Sequence, residues 1–226
     1  IHMIQRNTSR LLFLTQQLLE FRKAEYDYLE NTVKKFDLVN LVEQIAELFD
    51  DWALDKNIEY QVEVPSTLPG WFDKDKLEKI IFNLMSNAFK YTPVGGSIHL
   101  EFKMEDKDFK TLNISISNTG KGIPKEKLES LFDRFFLSDT NQAADTEMFR
   151  TGIGLAYIKK LVTVLKGEIL VSSIPNEQTA FTVLIPCEKS AFAEKEIDRE
   201  NAPVLISHHL RNILEEGSGT NPTAMA

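Results

Sequence analysis

The segment Asn83–Pro93, with the sequence NLMSNAFKYTP, decides how this chain folds. It closes a predicted amphipathic helix, because Pro93 and the glycines after it do not continue a helix. Asn83, Asn87 and Lys90 are spaced at i, i+4 and i+7, so two amides and an ammonium share one helix face. Amide oxygens suit magnesium and a lysine ammonium suits phosphate, so this face could hold a magnesium–nucleotide complex. The polar end of an ordinary amphipathic helix is the alternative.

The elements predicted around this segment alternate between helices and strands. Helices are expected over residues 38–52 with Asp37 as N-cap, 74–92 after the capping residue Asp73, 125–131 and 152–165. Strands are expected over residues 58–64, 97–104, 111–118, 168–174 and 179–185. Because short turns join the later strands into antiparallel pairs, the sequence predicts an α+β fold, a two-layer α/β sandwich.

The first segment of the chain has a different pattern. Apolar residues at a 3–4 spacing over residues 4–28 occupy two flanks of one long predicted helix. Two apolar flanks suit a bundle of three or four helices, which predicts a bundle helix ahead of the sandwich. A helix docked on its own domain is the alternative.

The composition excludes several classes of protein. With 34 acidic and 26 basic residues the net charge is -8, so the long-range field repels nucleic acid and anionic membranes. A phosphate-bearing ligand must therefore be held by a local site. The single Cys187 cannot form an intrachain disulfide or a thiolate zinc site, and we expect a buried spectator thiol. No apolar run approaches the roughly 18 residues of a membrane span.

Two glycine-containing clusters follow along the chain. Asn118–Pro124, NTGKGIP, comes directly after a predicted strand, and its glycines let the backbone turn sharply and approach a ligand. A hairpin turn is the alternative. Thr151–Leu155, TGIGL, enters a helix whose first amide groups form an anion site. This cluster has neither the full dinucleotide fingerprint nor the ending of a Walker loop. Each cluster is weak alone, but all three in this order are a strong signal.

In this order the clusters closely resemble the asparagine box and the two glycine boxes of sensor histidine kinases. Leu131–Phe136, LFDRFF, is similar to their phenylalanine box, and Thr179–Val183 is similar to the end of their last motif. The resemblance implies a two-layer α/β sandwich of the GHKL (Bergerat) ATP-binding type.

The resemblance also implies a domain organisation. Residues 7–12 and 17–23 are similar to the second dimerisation helix of such kinases, particularly those of hybrid two-component systems. The implied units are the second helix of a dimerisation and phosphoacceptor hairpin over 1–32 and the catalytic ATP-binding domain over 36–187. Residues 188–226 would be a linker or disordered tail, which could lead toward a receiver domain.

Residue roles are carried over from the resemblance. Asn87, with Asn83 beside it, would coordinate Mg²⁺, and Lys90 would meet phosphate, so that Asn83 and Lys90 form the catalytic pair. Tyr91 would cover the adenine and Asn118 would read its edge. The implied nucleotide-contacting residues are Asn83, Asn87, Lys90, Tyr91, Asn118, Gly120, Gly122, Ile123, Arg134, Gly152, Gly154, Leu155 and Thr179.

A lid over the phosphates is implied as well. Its two ends would be the glycine pairs Gly120/Gly122 and Gly152/Gly154. Phe132 and Phe135 would anchor its base, with ordinary core packing as the alternative, and Arg134 is a candidate phosphate contact.

The sequence departs from the family pattern at several positions. Asn118 replaces the usual Asp, which affects nucleotide affinity, and Arg150 and Gln178 stand where glycines are usual, which affects lid mobility. The phosphoacceptor His of the family is followed by an acidic residue, and none of His2, His99, His208 and His209 has that context. We therefore expect a fragment that does not phosphorylate itself.

The predicted function is the ATP-binding catalytic part of a two-component sensor histidine kinase, with ATP and Mg²⁺ as cofactors. It would transfer the γ-phosphoryl group to a His on a helix outside this fragment. The expected partners are that helix, a response-regulator receiver domain and a second copy in the full-length protein. Nucleic acid is not expected. The fragment would be the cytoplasmic portion of a membrane-anchored bacterial sensor, with membrane contact only through the missing N-terminal part.

Two alternatives stay open. The first is a degenerate nucleotide-binding or dimerisation module without turnover, to which the departures at Asn118, Arg150 and Gln178 point. The second is a GHKL-type ATP hydrolase. Such hydrolases place a Glu four residues before the metal-binding Asn, where it can activate water. The residue at that position is Asn83, which cannot act as a base at neutral pH, so the hydrolase is disfavoured.

Overall fold

The computed structural model describes residues 30–105, 110–133 and 154–198 of the chain. The strands are β1 (Lys34–Asp37), β2 (Glu59–Glu63), β3 (Pro69–Phe72), β4 (Ser97–Met104), β5 (Thr111–Thr119), β6 (Glu168–Ile174) and β7 (Gln178–Pro186). The helices are α1 (Val39–Glu47), α2 (Asp50–Asp55), α3 (Lys74–Tyr91), α4 (Lys125–Leu128) and α5 (Gly154–Val164). Two 3₁₀ turns follow, at Lys189–Ala191 and Glu194–Glu196.

The main sheet has the strand order β2-β4-β5-β7-β6. β2 runs parallel to β4, and the other neighbours are antiparallel. Burial alternates along β4, β5 and β7, so one face of the sheet is buried, and α3 and α5 pack on the sheet. This is the predicted α+β sandwich. The parallel pair and a small antiparallel sheet of β1 and β3 were not predicted.

α3 is the central helix of the second layer. Its start is fixed by Asp73, whose carboxylate accepts from the backbone N–H of Lys76 at 3.1 Å, which confirms the predicted cap. Near its end Phe89 stacks on Phe49 with ring centroids 5.1 Å apart. The Thr92 hydroxyl donates to the carbonyl four residues earlier at 2.7 Å and closes the last turn. The apolar face of α3 is buried in the core, so its polar stripe lies at the edge of that core.

The predicted helix over residues 38–52 was wrong in detail. In the structure two helices, α1 and α2, occupy this part of the chain, and they are separated at Leu48 and Phe49. Asp37 ends β1, and the N-cap position of α1 belongs to Leu38. The Asp37 carboxylate still accepts from Val39 N at 3.1 Å, and also from Leu68 N at 3.0 Å. The short helix α4 likewise ends at Leu128 rather than at Leu131.

The folded unit extends past both ends of residues 36–187. The backbone N–H of Val33 donates to the carbonyl of Glu196 at 2.7 Å, and Phe192 is buried. Burial alone would raise the pKa of Glu196, but hydrogen bonds from Ala193 N–H, Lys166 and Asn31 lower it to about 2. Segments before β1 and after β7 are therefore packed together.

Several predictions fall on the ends of the chain. The long first helix and the distal tail lie in residues 1–29 and 199–226, outside the described residues. The dimerisation helix and the receiver-directed tail therefore stay predictions.

Cys187 is buried as predicted, with its Sγ 3.9 Å from Met104 Sδ. The helices that the structure describes include none that is both long and apolar enough to cross a membrane.

Candidate functional site

A row of side chains crosses one end of the main sheet. Ile98 on β4 lies opposite Asn118 on β5, Asn118 opposite Thr179 on β7, and Thr179 opposite Ser173 on β6. Residues directly opposite on neighbouring strands project from the same face, which here is the face covered by helices. Asn118 and Thr179 are each only 8% exposed. Three polar groups thus line the end of an otherwise apolar core.

The Asn118–Pro124 loop continues from this row. The loop leads from β5 into α4, so the hairpin-turn alternative is wrong. Gly120 donates its N–H to the carbonyl of Glu177 at 3.0 Å, and a Cβ at Gly120 would lie 2.6 Å from the carbonyl oxygen of Tyr91. Gly122 has a φ of +65°, and its Cβ would lie 2.5 Å from the carbonyl oxygen of Ile174. Side chains are therefore excluded at both glycines by backbone on either side.

The polar stripe of α3 meets the start of α5. Asn83 Nδ2 donates to the carbonyl of Lys79 at 2.7 Å, which fixes the orientation of the amide. A Cβ at Gly154, the first residue of α5, would lie 3.7 Å from Asn83 Oδ1. An amide oxygen, a ligand type that hard cations prefer, thus lies beside the positive end of a helix dipole. Asn87 follows one turn later on α3 and is half-buried.

The end of α3 carries Lys90 and Tyr91. Lys90 Nζ lies 5.0 Å from the centre of the Tyr91 ring, and Tyr91 is 44% exposed. Lys56 stabilises the last turn of α3, because its Nζ donates to the carbonyl of Phe89 at 2.8 Å. Burial lowers the pKa of Lys56. Lys90 and Tyr91 therefore lie at a helix end that is stabilised by a hydrogen bond from Lys56.

The other predicted residues are distributed as follows. Ile123 and Leu155 are half-buried and pack against the core. Phe132 contacts Phe181 edge to face with ring centroids 6.5 Å apart, as the core-packing alternative expects. Gln178 is the first residue of β7, while the left-handed φ of that turn falls on Asn176, at 63°. Arg134, Phe135, Arg150 and Gly152, for which roles were predicted, lie outside the described residues.

Sequence reasoning missed Ser173. Its Oγ accepts from the N–H of Ile123 at 2.8 Å, lies 2.8 Å from the carbonyl of Gln178, and lies 2.9 Å from Thr179 Oγ1. The predicted hairpin of residues 168–174 and 179–185 contained the signal, because its register places Ser173 directly opposite Thr179.

In the described part of the chain, the arrangement offers binding groups: amide oxygens, hydroxyls and an ammonium. Among the described residues no group of three or more His, Cys, Asp or Glu side chains could hold a metal ion. A cation would instead be held by amide oxygens together with anionic oxygens of a ligand. The residues present fit that role, since Asn83 Oδ1 is oriented toward the start of α5.

Comparison with known proteins identifies the class. The model of the family of histidine kinase-, DNA gyrase B-, and HSP90-like ATPases matches residues 72–189, and the chain belongs to this family. Two of the most similar relatives are named as sensor kinases. Sensor histidine kinase TmoS of Ectopseudomonas mendocina is 33% identical over 221 residues, which are 96% of this chain and 22% of TmoS. Autoinducer 2 sensor kinase/phosphatase LuxQ of Vibrio vulnificus strain YJ016 is 30% identical over 217 residues, 93% of this chain and 25% of LuxQ.

The chain thus spans about a quarter or less of the length of these two relatives. Solved structures share its fold. Full-length ShkA in complex with AMPPNP has a TM-score of 0.67 at 24% identity, covering 80% of this chain and 36% of ShkA. Histidine kinase ThkA in complex with response regulator protein TrrA has a TM-score of 0.64 at 24% identity, covering 83% of this chain and 50% of that chain. The described fold is therefore that of a histidine kinase catalytic domain.

Proposed function

We propose that this chain is the ATP-binding catalytic part of a two-component sensor histidine kinase. It transfers the γ-phosphoryl group of ATP to a histidine on a helix outside residues 1–226. The single observation that carries the proposal is Asn83 Oδ1 beside the first residue of α5, next to the stripe that also holds Asn87 and Lys90. Family membership supports ATP as the nucleotide, and the relatives support histidine phosphorylation as the reaction.

The nucleotide would lie along α3. Asn118 and Thr179 would meet the adenine, and Tyr91 would cover it. The phosphates would meet Lys90 and the N-terminus of α5. Asn87, with Asn83 beside it, would hold Mg²⁺, and the cation would neutralise charge on the phosphate oxygens.

The reaction forms a bond between phosphorus and an imidazole nitrogen and breaks the bond between the γ-phosphorus and ADP. Phosphoryl transfer needs mainly positioning and electrostatic stabilisation, which amides, an ammonium and a helix N-terminus supply. An asparagine cannot deprotonate water at neutral pH, so Asn83 favours transfer over hydrolysis. The acceptor histidine would come from a separate helix, since none of the four histidines of this chain is followed by an acidic residue and His99 lies within β4.

Partners and location follow from the same proposal. The full-length protein would be a homodimer whose phosphohistidine passes its phosphoryl group to a receiver domain. The structure of ThkA with a response regulator supports this kind of partner. The net charge of -8 argues against nucleic acid. The chain would lie on the cytoplasmic side of a membrane-anchored bacterial sensor.

The test uses ATP labelled at the γ-phosphate. The chain is incubated with Mg-ATP, alone and with a separately made helical hairpin that carries a His followed by an acidic residue. We expect no self-labelling and no significant ATP turnover, but acid-labile label on the hairpin. A hairpin with His replaced by Gln is the matched control. Turnover that disappears on Asn83→Ala substitution would instead support the hydrolase.

A further inference from the structure

Ser173 lies at the end of the polar row and has three oxygen or nitrogen neighbours. The N–H of Ile123 can only donate, and it lies 2.8 Å from Ser173 Oγ. The carbonyl of Gln178 can only accept, and it also lies 2.8 Å from Ser173 Oγ. The third neighbour is Thr179 Oγ1 at 2.9 Å, where either hydroxyl could be the donor.

The number of protons on the Ser173 hydroxyl decides which of the two hydroxyls donates. A serine hydroxyl has one proton and two acceptor lone pairs. All three contacts are satisfied together only if Ser173 accepts from Ile123, donates to Gln178 and accepts from Thr179. The Thr179 proton is then directed at Ser173, so the Thr179 oxygen can only accept from any further partner. Ser173 thereby converts an ambivalent hydroxyl into a fixed acceptor.

Asn118 is oriented in the same sense. Its Nδ2 donates to the carbonyl of Thr119 at 3.0 Å. If the amide were flipped, Oδ1 would face the Thr119 carbonyl oxygen, and two acceptors would meet. Nδ2 is therefore the atom that faces Thr119, and Oδ1 points away from it. Since Asn118 and Thr179 are directly opposite on β5 and β7, two acceptors lie side by side in one row.

We infer that Ser173 is a positioning residue that sets selectivity for an exocyclic amine on the bound base. This inference rests on the proposed function and concerns the base end of that site. An exocyclic amine has two N–H donors, which match the oxygens of Asn118 and Thr179. A base with a carbonyl at the same position offers only an acceptor and meets two acceptors. The row therefore selects adenine over hypoxanthine or guanine, and Ser173 does so without touching the base.

The test compares ATP with inosine triphosphate, which replaces the amine by a carbonyl. Affinities are measured by calorimetry with Mg²⁺ for the wild-type chain and for Ser173→Ala. Loss of the serine frees the Thr179 proton to rotate toward the carbonyl. We expect the preference for ATP to fall about fivefold, the size of one neutral hydrogen bond, mostly through tighter binding of inosine triphosphate.

Matched variants separate selectivity from folding. Ser172→Ala removes the neighbouring hydroxyl, which is exposed on the opposite face of β6, and should leave the preference unchanged. Ser173→Thr keeps the hydroxyl and should restore it. Should Ser173→Ala fail to fold, Ser173→Cys keeps a side chain of similar size but forms only weak hydrogen bonds, and it should lower the preference in the same direction.

The outcomes distinguish the two proposals. A wild-type chain that binds neither nucleotide overturns the proposed function and this inference with it. ATP binding with the same nucleotide preference in wild type and in Ser173→Ala overturns only this inference. A preference that falls in Ser173→Ala and returns in Ser173→Thr supports it.

Discussion

Replacing Gly122 with alanine should destabilise the domain in two separable ways. Its φ of +65° costs an L-residue about 1 kcal/mol. The new Cβ would also lie 2.5 Å from the carbonyl oxygen of Ile174 and 2.8 Å from Pro175 Cα, backbone atoms that cannot rotate away. Displacing the β6–β7 hairpin adds about 1–3 kcal/mol. The free energy of unfolding should therefore fall by about 2–4 kcal/mol.

Gly95→Ala is the matched control for this substitution. Gly95 also has a positive φ, +75°, but nothing lies within 4 Å of its added Cβ. It should lose only about 1 kcal/mol, so the difference between the variants isolates the clash. Urea unfolding followed by tryptophan fluorescence measures both free energies. Equal losses would mean that the Asn118–Pro124 loop does not rest on the hairpin, which would refute the reasoning.

Three further predictions concern other parts of the domain. Glu196→Gln should lower the free energy of unfolding at pH 7. Because the folded pKa of Glu196, about 2, is below the ordinary 4.5, the difference from wild type should shrink as the pH falls from 4.5 toward 2. A difference that stays constant with pH in denaturant titrations would contradict this. Gly120→Ala should lower the free energy of unfolding by about 1–3 kcal/mol, because its Cβ would lie 2.6 Å from the Tyr91 carbonyl oxygen. Gly154→Ala should stay within about 0.5 kcal/mol of wild type, because its Cβ would be in ordinary contact with Asn83 Oδ1 at 3.7 Å. Asn118→Asp should tighten binding of an ATP analogue about fivefold, as measured by calorimetry. It should also make the nucleotide-free domain less stable in urea, since a carboxylate cannot donate a hydrogen bond to the Thr119 carbonyl. Unchanged values in both assays would refute the described environment of Asn118.

The sequence predicted the elements with strong periodicity and clear end signals. The bounds of β4 and β6 agree with the predicted ones. The start of α3 was predicted correctly because Asp73 could be recognised as its N-cap from the sequence. Asp37 was misassigned because a carboxylate before an amphipathic pattern resembles an N-cap, whereas here it also satisfies the N–H of Leu68, a contact 31 residues away. Long-range partners of this kind leave no local pattern.

The small sheet and the parallel pair were missed for two different physical reasons. β1 and β3 are four residues each, and a strand this short has too few alternations to detect. The pairing of β2 with β4 depends on how α3 folds back across the sheet.

The candidate site shows a similar division. Asn83, Asn87 and Lys90 share a helix face that spacing alone predicts. The placement of Asn83 beside Gly154 depends on packing between α3 and α5, which the motif resemblance implied and spacing did not. Ser173 was overlooked because an isolated serine in a strand carries no signal until its cross-strand partner is known.

Calorimetric titration with a non-hydrolysable ATP analogue and Mg²⁺ tests most directly whether the row beside α3 binds ATP. Wild type should bind, and Asn118→Ala should bind about tenfold more weakly or worse, because under the proposed placement it loses the acceptor for the exocyclic amine. Urea unfolding of both proteins checks that the variant remains folded. Equal affinities of two folded proteins would mean that Asn118 does not face the base and would contradict the location of the site.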